Sequence, residues 1–85
     1  MTRKEANYKI LSILEQKYPE YSNLYPIITT YITNYSDWRF GQIICNRIVP
    51  NYREEDSKLM RDWFNISFDP FYEESVETLD RLKNE

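Results

Sequence analysis

Ser22-Asn23-Leu24-Tyr25-Pro26-Ile27-Ile28-Thr29-Thr30-Tyr31-Ile32-Thr33-Asn34-Tyr35 is the stretch on which the fold turns. Its Ile, Thr and Tyr residues favour strands, because β-branched and aromatic side chains suit a pleated surface and lose χ1 freedom in a helix. Its pattern favours a helix. Leu24, Ile27, Ile28, Tyr31, Ile32 and Tyr35 fall at i, i+3, i+4, i+7, i+8 and i+11, and the alternation of a half-buried strand is absent. Pro26 suits a first helical turn, where no N–H is needed, and not a central strand. Period outweighs propensity here, and a helix is predicted over 22–35.

The flanking segments read the same way. Thr2-Arg3-Lys4-Glu5 fits a capping box, in which the Thr hydroxyl accepts a first-turn amide and the Glu reaches back to the cap amide. Ala6, Ile10, Ile13, Leu14 and Tyr18 then form an apolar stripe, and Pro19 ends it. Asp37 is expected to cap a third helix over 38–49 with Phe40, Ile43, Ile44 and Ile48 inward and Pro50 as its stop. Gly41 inside that helix points to a close crossing, since a mid-helix Gly otherwise costs roughly 0.5–1 kcal/mol against Ala. A helix over 57–64 offers Leu59, Met60, Trp63 and Phe64. Asp69-Pro70 begins a turn, after which Ser75 or Glu73 leads a last helix with Val76, Leu79 and Leu82 inward. The expected architecture is all-α, a compact bundle of about five short helices in a single domain, 1–85.

The composition narrows the chemistry. Among 85 residues there are eight Tyr, and without them the apolar set is only about a third of the chain, so the core leans on aromatic rings with polar tips. A domain this short buries around 60–65% of its unfolded surface and is expected to be modestly stable, or to draw stability from a partner or from self-association. One Cys and no His leave no basis for a disulfide, a metal site or a His base. A single Gly provides no phosphate-binding loop, so no cofactor is expected. No secretory pattern and no apolar run of about 18 residues is present, which reads as cytosolic without a membrane span. Net charge is −3, distributed as +2 over residues 2–19 and −4 over 69–85, so the two ends are expected to attract one another.

Two segments carry candidate function. In the third helix Arg39, Gln42 and Asn46 fall at i, i+3 and i+7, one polar stripe beside the apolar face. Trp38-Arg39-Phe40-Gly41-Gln42-Ile43-Ile44-Cys45-Asn46, together with Asp69-Pro70-Phe71-Tyr72-Glu73-Glu74-Ser75 and the following Thr78-Leu79 and Arg81-Leu82, resembles a family of short bacterial and phage proteins. Members carry an R-F-G-Q-hydrophobic-hydrophobic-x-N segment and a D-P-F-[FY] turn before an acidic helix. The resemblance covers about half the chain and implies a phage or mobile-element setting, with no settled activity. Here residues 20–36 are interposed before R-F-G-Q, and that insertion is where this protein's own partner or oligomer contacts are expected.

One reading of the two motifs has the Asp69–Tyr72 turn docking on the third helix, with Phe71 and Phe40 sharing the core and Arg39, Gln42 and Asn46 satisfying carbonyls or carboxylates. The other has Arg39, Gln42, Asn46, Asp69 and Tyr72 converging on a small anionic or amide ligand. Catalysis is not expected: Asp69, Glu73 and Glu74 lack a nucleophile, metal or oxyanion hole to serve, and Cys45 reads as a buried or half-buried filler. Arg39, Arg47, Arg53, Lys58 and Arg61 with Trp38, Tyr52 and Trp63 are interleaved with Glu54, Glu55, Asp56 and Asp62, which reads as a salt-bridged surface and not as a nucleic-acid groove. The remaining expectation is a protein-interaction module that binds or inhibits a host or defence protein. Its alternative is a self-associating minor structural protein, a homodimer through Tyr25, Tyr31 and Tyr35.

Overall fold

The first helix, α1, spans Arg3–Lys17, and the Thr2 hydroxyl accepts the Glu5 N–H at 3.2 Å as its cap. The Glu5 carboxylate does not reach back to the cap amide; it accepts the same Thr2 hydroxyl at 3.1 Å. Ala6, Ile10, Leu11 and Leu14 are fully enclosed on its inner face, and so is one polar residue, Asn7. Pro19 ends the helix as expected and opens a 3₁₀ turn over Pro19–Tyr21. The structure, a computed structural model, describes residues 1–51, 56–64 and 71–84, with the main chain alone at 56 and 57.

The decisive stretch is helical. The second helix, α2, spans Tyr25–Asn34 with Pro26 in its first turn, starting one turn later than the periodicity suggests. Its three threonines each turn the hydroxyl onto the carbonyl four residues back: Thr29 to Tyr25, Thr30 to Pro26 and Thr33 to Thr29, at 2.9, 3.1 and 3.0 Å. These local bonds satisfy the hydroxyls within the helix itself, which is how a strand-prone composition is accommodated.

The third segment departs from a regular helix. Helix α3 covers only Phe40–Ile43, and the chain then widens into a π-turn over Ile44–Ile48 and tightens into a 3₁₀ turn over Val49–Asn51. Arg39, not Asp37, occupies the cap position. The start is displaced because the Phe40 N–H takes an acceptor from another helix, the Ser75 hydroxyl at 3.1 Å. Phe40, Ile43, Ile44 and Ile48 all point inward, and Gly41 is buried among them.

Helix α4, Asp56–Phe64, places Leu59, Trp63 and Phe64 in the core. Trp63 lies at its centre, with ring centroids of Tyr21, Tyr25 and Phe40 at 5.5, 6.0 and 6.3 Å. The last helix, α5, runs Ser75–Lys83 from a Glu74 cap. Its inner face is Ser75, Thr78, Leu79 and Leu82, and Val76, expected inside, is 44% exposed. The register belongs to Ser75, whose hydroxyl both accepts from Phe40 N–H and donates to Asn7 Oδ1 at 2.6 Å. Asn7 Nδ2 in turn donates to the Trp38 carbonyl at 2.8 Å. One buried side-chain pair thus ties α1, α3 and α5 together, and the charged ends meet beside it through Arg3 and Glu74 at 2.6 Å. The described residues form an all-α bundle of five α-helices.

Replacing Asn7 by Ala leaves the Trp38 carbonyl and the Ser75 hydroxyl without their partner, at about 1–3 kcal/mol for each group left unpaired. The urea midpoint of Asn7→Ala is therefore expected to fall clearly, while Val76→Ala, at an exposed position, stays within about 0.5 kcal/mol of the parent.

Candidate functional site

Arg39 and Gln42 are brought together, and their bonds are to the main chain. Gln42 Oε1 accepts the Arg39 N–H at 3.3 Å, one half of a capping box. Arg39 Nε donates to the Phe71 carbonyl at 3.1 Å, and its guanidinium lies 5.4 Å from the Phe71 ring centroid. The turn at residues 71–72 does dock on the third segment. Phe71, however, is half-buried beneath Arg39 and does not join Phe40 in the core, because its ring serves as the platform for that guanidinium. Asn46 is exposed and Tyr72 is 84% exposed, and no hydrogen bond or ring contact joins either one to Arg39 or Gln42. The i, i+3, i+7 stripe assumes α-geometry, and the π-turn takes one more residue into each hydrogen-bonded turn, which rotates Asn46 out of it. Asp69 lies outside the described residues.

The paired carboxylates at the start of α5 are both occupied. Glu73 receives Arg81 Nη2 at 2.9 Å and the Thr78 hydroxyl at 2.6 Å, while Glu74 receives Arg3. Burial alone would raise the Glu73 pKa, but the bonds from Arg81 and Thr78 outweigh it and hold the carboxyl below its ordinary value.

The three tyrosines expected at an interface part company. Tyr25 is a core residue, 4% exposed, and its hydroxyl lies 3.0 Å from the Leu14 carbonyl and 2.6 Å from that of Tyr18. It thereby adds a side-chain donor beside two carbonyls at the end of α1 that already accept the Tyr18 and Tyr21 N–H groups, and no surface is left for a partner to cover. Burial, together with the nearby Glu20 and Glu15 carboxylates, pushes its phenol pKa up, keeping it a neutral donor. Tyr31 and Tyr35 remain half-exposed, one turn apart at the end of α2.

These two rings start an aromatic ladder. Tyr31 and Tyr35 stack with centroids 6.2 Å apart, and Tyr35 and Trp38 stack at 4.3 Å with 25° between planes. Arg47 completes it, its guanidinium 5.2 Å from the Tyr35 centroid and 5.6 Å from that of Trp38. Arg47 Nη2 also donates to the Tyr35 hydroxyl at 3.2 Å. Each rung is held at its main chain: the Tyr35 N–H bonds the Tyr31 carbonyl at 2.8 Å, the Trp38 N–H bonds the Tyr35 carbonyl at 3.0 Å, the Asn7 side-chain amide holds the Trp38 carbonyl, and Asn51 Nδ2 bonds the Arg47 carbonyl at 2.8 Å. Arg47 forms no ion pair with any described carboxylate, and its Nε is buried without an acceptor. Sequence reasoning placed Trp38 and Arg47 in a salt-bridged surface. The i, i+4 spacing of Tyr31 and Tyr35 was the one available signal, since only the π-turn brings Arg47 to them.

An open groove of about 400 Å³ lies between α1 and α2, lined by Glu15, Pro19, Ser22, Tyr25, Pro26 and Thr29. No hydrogen bond there links the Glu15 carboxylate to the Ser22 or Thr29 hydroxyl. Among the described residues no cluster of His, Cys, Asp and Glu is arranged to hold a metal ion, and no helix is long and apolar enough to cross a membrane. Cys45 is half-buried. No protein-family model, curated protein or solved structure matches the chain.

Two outcomes follow from these contacts. Arg39→Ala removes a charged hydrogen bond and a ring contact, together about 1–3 kcal/mol, and is expected to lower Tm by several degrees in a thermal melt. Because its folded pKa is depressed, Glu73 contributes stability that is present above its unfolded pKa, about 4.3, and lost as pH falls through the lower folded value. Melts from pH 7 to pH 2.5 are expected to show that Glu73→Gln is less stable than the parent at neutral pH and loses less on acidification.

Proposed function

We propose that this protein is a small cytosolic, non-catalytic protein-interaction module that recognises its partner through the Tyr31–Tyr35–Trp38–Arg47 ladder. The observation that carries the reading is the ladder itself: two Tyr, one Trp and one Arg stacked at the surface and held by main-chain bonds. These residue types dominate binding energy at protein interfaces, and rings already fixed in place lose little entropy when a partner covers them. Two of the four rungs, Tyr31 and Tyr35, lie in the interposed segment 20–36, where partner-specific contacts were expected. The resemblance of the R-F-G-Q and D-P-F-Y segments adds a setting, a phage or mobile element whose product binds or inhibits a host or defence protein. Arg39 and Gln42 support a role in folding more than in binding an anion, because the hydrogen bonds they make are to the main chain.

Self-association is the competing reading. With Tyr25 in the core, a two-fold interface would have to centre on Tyr31 and Tyr35, and it would bring the uncompensated Arg47 close to its own copy. Tagged protein incubated in a lysate of the native host is expected to retain one stoichiometric protein, and a Tyr35→Ala/Trp38→Ala variant that still melts cooperatively is expected to lose it. Light scattering at micromolar concentration is expected to give 10.5 kDa. A mass of twice that value, returning to the monomer in the same variant, would transfer the surface to homodimerisation.

A further inference from the structure

Resting on the reading of the ladder as a recognition surface, we infer that its partner presents an acidic segment, with an Asp or Glu carboxylate paired to Arg47 and an adjoining apolar side chain laid along Tyr31, Tyr35 and Trp38. The warrant is an unfinished charge. Arg47 is held on two ring centroids at 5.2 and 5.6 Å, yet it has no carboxylate partner among the described residues. Asp37, the nearest acid that precedes it, makes no ion pair with it, and Glu54 and Glu55, nearer in sequence, lie outside the described residues. Of its guanidinium nitrogens, Nη2 serves the Tyr35 hydroxyl, while among the described residues buried Nε has no acceptor and Nη1 no hydrogen bond. Arg3 and Arg81 differ in this respect, since they reach carboxylates at 2.6 and 2.9 Å.

A guanidinium stacked on rings is set in plane and orientation before any partner arrives, and a planar fork so fixed matches a carboxylate. The rings around it exclude water from part of that contact, so the pair gains more than an exposed surface pair would. A nucleic acid would need free ring faces for its bases, and here Tyr35 already stacks with Tyr31 and Trp38 on a chain of net charge −3. A second copy docking with its two-fold axis at Arg47 would oppose Arg47 to Arg47.

The test is a selection of random twelve-residue peptides displayed on phage against the immobilised full chain. Synthetic winners are then titrated by Trp fluorescence, to which the half-buried Trp38 responds, against the parent and against Arg47→Gln and Tyr35→Ala, each first checked by thermal melt. The expected winners carry Asp or Glu beside an apolar residue. Their affinity is expected to fall at least tenfold on Arg47→Gln and equally when the peptide acid is changed to its amide, with no further loss when both changes are combined.

Winners that are neutral or basic but still depend on Tyr35 would overturn the acidic segment and leave the interaction surface standing. Winners indifferent to both Tyr35 and Arg47, or a selection that enriches nothing, would overturn this inference and count against the ladder as a site. Tighter binding of oligo-dT than of any acidic peptide would reassign the ladder to nucleic acid.

Discussion

The Asn7 carboxamide, enclosed at the meeting point of three helices, is the constraint from which the rest of the arrangement follows. Its nitrogen takes the Trp38 carbonyl and its oxygen takes the Ser75 hydroxyl, which accepts in turn from the Phe40 N–H. Every polar atom in that chain has a partner, the condition under which a buried polar network specifies a structure instead of weakening it. The network sets where α3 starts, because Phe40 finds its acceptor across the bundle, and it sets the face that α5 turns inward, because Ser75 must reach both partners. Val76 lies outside for the same reason. The Arg3 to Glu74 pair sits nearby, about two-fifths exposed on each side, and a solvent-screened pair of that kind adds little to what the amide has arranged.

The same amide bears on the surface ladder. By fixing the Trp38 carbonyl it fixes the turn between α2 and α3, and with it the spacing of Tyr35 and Trp38. On the other side the π-turn at Ile44–Ile48 serves two demands within one segment: Ile44 and Ile48 stay in the core, and Arg47 is carried to the rings. A regular α-turn imposes one angular spacing on all its residues, and the wider turn relaxes it. π-turns are costly enough to be rare and recur at functional sites, and here the distortion coincides with a surface cluster of Tyr, Trp and Arg.

The helices were legible because their apolar positions follow one period, and α2 shows that the period outweighs propensity even where Ile, Thr and Tyr dominate. What the periodicity could not show was which polar residues join the core. Asn7 and Ser75 look like ordinary solvent-facing positions in a linear chain, and only their meeting across 68 positions makes them interior. Tyr25 failed as an interface residue for a related reason: its hydroxyl finds the carbonyls of Leu14 and Tyr18, so a ring that a small monomer was expected to leave uncovered is enclosed. The polar stripe of Arg39, Gln42 and Asn46 failed because it was drawn on α-geometry that the π-turn breaks. Arg39 does hold the turn at 71–72, whereas Gln42 bonds the Arg39 N–H and not that turn, and Arg47, read from the sequence as part of a salt-bridged surface, was hidden by the same distortion.

Among the described residues two buried side-chain donors make no hydrogen bond, the Trp63 indole N–H and Arg47 Nε, and the contrast between them bears on function. Trp63 is wholly enclosed by Tyr21, Tyr25 and Phe40, with the Tyr25 hydroxyl beside its N–H but outside good hydrogen-bond geometry, so the shortfall is a cost of packing an aromatic core that no outside group can relieve. Arg47 is only half-buried and its charge is attached to rings that remain partly open. Leaving a charged donor unmatched costs more than leaving a neutral one, and stacking on aromatic faces returns about 0.5–2 kcal/mol, so the ladder offsets part of that cost and no more. A domain of this size has a stability of about 5–15 kcal/mol in total, and a cation held in this way is a sizeable fraction of it to leave uncompensated. An acidic group supplied from outside relieves the imbalance without moving a rung, because the geometry that receives it is already in place.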